Sequence, residues 1–184
     1  AEPFHQLIAA NGITLHLVVA GQGPLVVLCH GFPGLWYSWR HQLPALAAAG
    51  YRAVALDMRG YGRSSRPQRS AEYAFEHTSA DVLAVMDHLG ENAATIVGHD
   101  FGANLAWHMA VHHSDRIKAM VSLCVTYGMA LAGGTDVRPS ELYAQVAQAH
   151  FFHMHYYPQV GKADASCVGR GREFLAKLFW ALCA

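Results

Sequence analysis

Up to about Tyr127, apolar and polar positions along the chain fall into two alternating periods. Residues 6–9 and 13–19 are short apolar runs split by Asn11-Gly12, and an Asn-Gly pair in that setting predicts a β-hairpin. Residues 25–29 are continuously apolar and stop at His30-Gly31, the pattern of a strand covered on both faces. Helical spacing follows over 38–49, closed by Gly50, and 53–56 is a second buried strand ending at Asp57. Val82, Val85, Met86 and Leu89 share one helix face across 79–89, with Gly90 placed to end that helix. A strand over 94–97, a helix over 101–112 and a strand over 117–125 complete the series. Strands and helices alternating through short joints predict an α/β fold, a mostly parallel sheet flanked by helices.

Beyond Tyr127 the alternation stops. Gly128, Gly133 and Gly134 loosen the chain, and Pro139 suits the first turn of a helix over 140–149. An aromatic, histidine-rich stretch follows, then a last helix over 172–182. The expected organisation is a core over 1–127 and a mainly helical unit over 128–184.

Composition narrows the class of ligand. The 184 residues are 53% hydrophobic and 14% charged, with a formal net charge of zero. Such a chain can build a core, and its charge balance gives no reason to expect nucleic acid or a charged membrane. Small neutral or apolar ligands fit better. No run approaches eighteen apolar residues, so no membrane span is expected. Residues 1–12 lack a basic segment followed by a long apolar one, which favours a reducing, cytoplasmic setting. Cys29, Cys124, Cys167 and Cys183 form no C-x-x-C pair and are expected to be buried free thiols. Thirteen histidines invite a metal reading, but no ligand spacing supports one. His112 and His113 are adjacent and diverge on a helix, and His150, His153 and His155 have no carboxylate or thiolate partner at ligand spacing. Neither metal nor cofactor is expected.

The chemistry concentrates in Val97-Gly98-His99-Asp100-Phe101-Gly102, between a predicted strand and a predicted helix. A nucleophile elbow requires small residues two positions either side of its centre, because the tight turn brings backbones together. Gly98 and Gly102 supply them around Asp100, where a serine is more usual. An aspartate changes the reaction. A carboxylate attacks a saturated electrophilic carbon and forms an alkyl ester, which water then hydrolyses through a tetrahedral oxyanion. Two backbone N–H groups should wait for that oxyanion. One is the amide of Phe101; the other is assigned to Phe32, in the glycine-bearing loop His30-Gly31-Phe32-Pro33-Gly34. The competing reading of G-x-D-x-G alone is a helix N-cap, with Asp100 accepting backbone bonds.

Taken together, these runs resemble a family. His30-Gly31-Phe32-Pro33-Gly34-Leu35-Trp36-Tyr37-Ser38-Trp39-Arg40 is similar to the oxyanion loop of epoxide hydrolases of the α/β-hydrolase fold. Leu56-Asp57-Met58-Arg59-Gly60-Tyr61-Gly62-Arg63-Ser64-Ser65 resembles their next strand and loop, and residues 97–102 resemble their elbow. The resemblance covers most of residues 25–125 in matching order. It implies an α/β-hydrolase fold with the start of a helical cap. It also implies Asp100 as nucleophile and the amides of Phe32 and Phe101 as oxyanion hole. The substrate would be a small apolar epoxide, opened to a diol by water, a detoxification-type chemistry; a homodimer is compatible with it.

The family's cap also donates a proton to the epoxide oxygen. Residues 151–158 resemble the segment carrying the first donor, and alignment through Tyr156-Tyr157 to Gly161 puts His153 where a tyrosine is usual, with Tyr156 the alternative. Trp36, Phe151 and Phe152 are expected to line an apolar pocket. The family's hydrolytic histidine and its supporting acid have no match among these residues. The sequence therefore resembles the front half of a longer enzyme, ending inside the cap and lacking the strands that would cover the far sheet edge.

Two other functions compete. A haloalkane or haloacid dehalogenase uses the same aspartate chemistry, but the halide-binding tryptophan or carboxylate-binding arginine expected after the nucleophile is Phe101 here. A non-catalytic binding module of the same fold would use the pocket without turnover. Ser64 and Ser65 are expected to be solvated turn residues rather than nucleophiles.

Overall fold

A computed structural model describes residues 3–127, 139–149 and 153–183. The chain divides into two compact units, Ala1–Ala130 and Leu131–Ala184, each taken here by itself.

The first unit is a six-stranded sheet: β1 (Phe4–Ala10), β2 (Ile13–Ala20), β3 (Leu25–Cys29), β4 (Arg52–Asp57), β5 (Ala94–His99) and β6 (Ile117–Leu123), in spatial order β1-β2-β4-β3-β5-β6. β1 and β2 form the expected hairpin, Ala10 facing Ile13 across a two-residue turn. Asn11 (φ 49°) and Gly12 (φ 75°) both lie in left-handed backbone, the geometry that matches a turn to the twist of its strands. β2 runs antiparallel to β4, while β4, β3, β5 and β6 are parallel.

Helices cover the two faces differently. Helices α2 (Phe75–His88) and α3 (Phe101–His112) bury Val82, Val85, Met86, Leu105 and Met109 against Val27, Cys29, Val54, Leu56 and Ile96. On the opposite face α1 (Gln42–Ala48) sets Leu43 against Val26, Leu28, Ala53 and Ala55. Neighbours in β3 thus point into different cores, which is why its five residues are apolar without a break.

Three expectations change. The helix over 38–49 is instead a 3-10 turn, Trp36–Trp39, followed by the separate helix α1. Pro44 sits in the first turn of α1, where a missing N–H costs nothing, but its ring would clash with the carbonyl four residues earlier in a longer helix. Helix α2 begins at Phe75, after a 3-10 turn at Ser70–Tyr73, rather than at 79. β6 ends at Leu123 rather than 125 and is an edge strand among the described residues, with Val121 44% and Leu123 41% exposed. Cys124 follows it at φ 71°, outside the ladder.

Cys29 is buried, its thiol pushed up to about 12 by burial, but Cys124 is exposed and Cys167 half-buried, against the expectation of buried thiols. Arg59 and Asp81, both buried, form a two-pronged pair at 2.8 and 2.6 Å that ties the loop after β4 to α2. Ser64 is 4% exposed and no solvated turn residue: its hydroxyl donates to the Asp57 carbonyl (2.6 Å) and accepts from the His16 amide (2.9 Å).

The second unit contains four helices among the described residues: α4 (Pro139–Ala149), α5 (His153–Tyr156), α6 (Lys162–Cys167) and α7 (Gly171–Cys183). No described helix is long and apolar enough to cross a membrane.

Candidate active site

Asp100 occupies the corner between β5 and α3 at φ 55° and ψ −120°. That conformation lies outside the basins open to ordinary residues and costs about 1–3 kcal/mol, a strain typical of functional corners. The asparaginyl-like freedom of the left-handed region does not explain it, because ψ is far from the left-handed helical value. Two glycines make the corner buildable. A Cβ on Gly98 would meet the Gly102 carbonyl carbon and, at 2.6 Å, the Ala103 nitrogen; one on Gly102 would lie 2.6 Å from the Cys29 carbonyl carbon and 2.8 Å from the His30 oxygen. All of these are backbone atoms, so no side chain can swing aside.

The Asp100 side chain makes no cap hydrogen bond to α3, so it is not the N-cap acceptor that G-x-D-x-G alone allows. Instead its Oδ1 accepts a hydrogen bond from the Phe32 N–H at 2.9 Å. Phe101 is the first residue of α3, and first-turn amides have no partner within their own helix. Its N–H and the Phe32 N–H are the two donors expected near the carboxylate, and the structure shows the Phe32 contact. Gly31 lets the loop approach this closely, since a Cβ there would fall 2.7 Å from Asp100 Cγ.

A cavity of about 390 Å³ adjoins this corner, lined by Gly31, Tyr61, Tyr73, Phe75, Phe101 and Leu105 among others. Its walls are mainly apolar, and its size suits a small organic ligand. Trp36, expected in the pocket, is not in this lining: its ring stands edge-on to His5 and Tyr37, and its backbone N–H donates to Asp57. Phe151 and Phe152 lie outside the described residues.

Sequence patterns alone did not single out Tyr61, His30 and Asp57. Tyr61 lines the cavity, and its phenol is pushed up to about 12, first by burial and then by the charge of Asp100. The buried Asp57 carboxylate accepts from the amides of Trp36 (3.0 Å) and Arg63 (3.0 Å) and from His16 Nδ1 (2.7 Å). One acid thereby holds the end of the loop after β3 to the loop after β4. The spacing Asp57-x-Arg59-Gly60-x-Gly62-x-Ser64 carried the signal: an acid, then glycines, is what a carboxylate wrapped in backbone amides needs. A Cβ on Gly62 would collide with that carboxylate.

In the second unit His153 opens α5, exposed and edge-on to Tyr157 at 6.3 Å between ring centroids. The Tyr156 hydroxyl lies 2.9 Å from Ser166 Oγ and 3.3 Å from the Lys162 carbonyl. Among the described residues no group of three or more His, Cys, Asp or Glu side chains could hold a metal ion.

A mostly parallel sheet whose fifth strand turns through a strained acidic corner into a helix, with a glycine loop donating to that acid, defines an α/β hydrolase. The family model described as the alpha/beta hydrolase fold matches residues 24–152, and the chain belongs to that family. Similar proteins within it include epoxide hydrolases. Epoxide hydrolase A of Mycobacterium tuberculosis is 41% identical over 169 residues, 91% of this chain and 51% of that protein. An epoxide hydrolase of Caballeronia sordidicola is 50% identical over 120 residues, 65% of this chain and 36% of that protein. The crystal structure of an epoxide hydrolase from Vigna radiata superposes with a TM-score of 0.89 at 35% identity, covering 97% of this chain and 54% of that one. The chain thus spans about half the length of these relatives or less.

Proposed function

We propose that this chain carries the nucleophilic half of an epoxide hydrolase acting on small apolar epoxides. The observation that carries the reading is the Asp100 carboxylate, fixed through Oδ1 by the Phe32 amide beside an apolar cavity. That bond leaves Oδ2 to attack. Its lone pair bonds to an epoxide carbon, the carbon–oxygen bond of the three-membered ring breaks, and the electron pair passes to the departing oxygen. A protein acid supplies the proton, giving a hydroxyalkyl ester on Asp100. A base takes a proton from water as its oxygen adds to the ester carbonyl carbon, with the negative charge on Oδ1 facing the amides of Phe32 and Phe101; collapse breaks the bond from that carbon to Oδ2, the diol leaves with the base's proton, and the remaining carboxyl proton returns to the acid, restoring the carboxylate.

We assign the second unit to a cap and the proton donor to His153. Tyr156, whose hydroxyl contacts Ser166 and Lys162 inside that unit, is the alternative donor. Relatives of this fold take their hydrolytic base from residues this chain does not match, so the ester should outlive its formation here.

The direct test is intact-protein mass spectrometry after exposure of the 184-residue chain to styrene oxide. The expected result is one adduct of the full mass of the epoxide, mapped to Asp100 by peptide sequencing and lost in Asp100→Ala and Asp100→Asn. An unmodified Asp100, or the same labelling in both variants, refutes the proposal.

A further inference from the structure

His30 is 2% exposed, and both of its ring nitrogens are committed. The Met58 amide donates to Nε2 at 3.0 Å, so Nε2 carries no proton. The proton is therefore on Nδ1, which donates to the Gly31 carbonyl at 2.8 Å. Burial lowers the affinity of the ring for a second proton, in keeping with a neutral imidazole. Tyr61 closes over the ring edge-on, centroids 4.8 Å apart.

The carbonyl that His30 holds belongs to the same peptide unit as the Phe32 N–H. One plane thus has its oxygen bound by His30 Nδ1–H and by the Gly34 amide (2.7 Å), and its hydrogen aimed at Asp100 Oδ1 (2.9 Å). A peptide is rigid about its C–N bond, so fixing the oxygen fixes the direction of the hydrogen. A donor on the oxygen also draws electrons from the nitrogen and strengthens the N–H as a donor, by roughly 10–30% per bond in a chain.

We propose that His30 is a positioning residue of the oxyanion hole: its Nδ1–H orients and polarises the Gly31–Phe32 peptide whose N–H serves the Asp100 carboxylate. The inference rests on Asp100 being the nucleophile. Its role differs from that of a histidine that merely joins two loops, because the two nitrogens do separable work. Nε2 ties the oxyanion loop to the loop after β4, and Nδ1 acts on the peptide.

Two substitutions separate them. An Asn side chain can place an amide N–H near the Nδ1 position, and a Gln side chain can place an amide oxygen near Nε2. His30→Asn keeps the donor to Gly31 and loses the acceptor for Met58; His30→Gln does the reverse. Decay of the Asp100 ester formed with styrene oxide, the step in which the oxyanion develops, is expected to slow by less than about fivefold in His30→Asn and by about 10- to 100-fold in His30→Gln, bounded by the ~100- to 1,000-fold effect of deleting an oxyanion donor. The Phe32 amide proton should move upfield in His30→Gln and stay near its wild-type position in His30→Asn. Nitrogen-15 spectra of the unaltered chain require no variant to fold. They should show Nδ1 protonated, Nε2 as the acceptor, and no titration of His30 near its ordinary value.

A proton on Nε2 overturns the proposal, as do equal rates and equal Phe32 shifts in the two variants. If the unaltered chain forms no adduct, the nucleophile assignment fails, while the spectra still decide whether His30 governs the Phe32 amide.

Discussion

Gly102→Ala puts the elbow to its most direct test. The added Cβ would lie 2.6 Å from the Cys29 carbonyl carbon and 2.8 Å from the His30 oxygen, where ordinary contact begins at 3.4 Å. Relief demands a retreat of 0.8 Å and 0.6 Å from these atoms, and both belong to main chain at the end of β3. Overpacking against atoms that do not yield costs about 3 kcal/mol, the upper part of the usual range. In a chain of this size that lowers Tm by about 6–12 °C. The catalytic effect should be larger in proportion. Taken along the Phe32–Asp100 bond, a 0.8 Å retreat stretches 2.9 Å to 3.7 Å and breaks it. A displacement near 1 Å at a reacting group costs about 100-fold in rate. The assay is the time course of the Asp100 adduct with styrene oxide, read beside a thermal melt. Gly90→Ala is the control, since a Cβ there meets nothing within 4 Å and adds only the strain of φ +77°. Gly90→Ala should lose about 1 kcal/mol of stability and no alkylation rate. A Gly102→Ala chain that alkylates at the unaltered rate refutes the account of the elbow.

Further outcomes follow from the groups around the site. Asp57→Asn leaves one oxygen to accept what three donors now share, and turns an amide N–H toward one of them; a loss of about 3–5 kcal/mol is expected in denaturant titration, with slower alkylation as the oxyanion loop loosens. Arg59→Lys keeps the charge but loses the fork onto Asp81, so about 1.5–3 kcal/mol should disappear by the same measurement while the alkylation rate holds. His30 resists protonation when folded and takes a proton near 6.5 when unfolded, so its contribution to stability is complete above that pH and declines as the pH falls below it. Melts between pH 7 and 5 should therefore show a shallower decline for His30→Asn than for the unaltered chain. Bromoalkanes should release no bromide and leave Asp100 unmodified, because Phe101 offers no hydrogen bond to a departing halide; one equivalent released in step with an Asp100 adduct, read with an ion-selective electrode, would favour the dehalogenase chemistry.

How much was legible before folding depended on whether a feature is local. The hairpin at Asn11-Gly12, the run of β3 and the limits of α3 came from short-range rules, because left-handed turns and two-faced burial mark neighbouring residues directly. The elbow was legible for the same reason: Gly98, Asp100 and Gly102 stand within five residues, and steric exclusion at a tight corner writes itself into composition. Pro44 shows the opposite case. Its effect on where α1 begins depended on a carbonyl in the preceding turn, and helical periodicity alone ran past it.

What the tertiary structure alone decided is which distant groups converge. Sequence marked Asp100 as an acid at a tight corner and nominated the Phe32 amide as a donor there; the parallel pairing of β3 with β5 is what brings that N–H to within 2.9 Å of Oδ1, 68 positions away. Ser64 looked like a turn residue because its neighbours are arginines and glycines, yet the fold buries it against His16 and Asp57. His30 and Asp57 were ordinary letters in two motifs until β3 and β4 lay side by side and gave each a partner from the other's loop. Backbone hydrogen bonds between neighbouring strands set those meetings, and a buried polar group must find its partner across the sheet, where spacing along the chain carries no information.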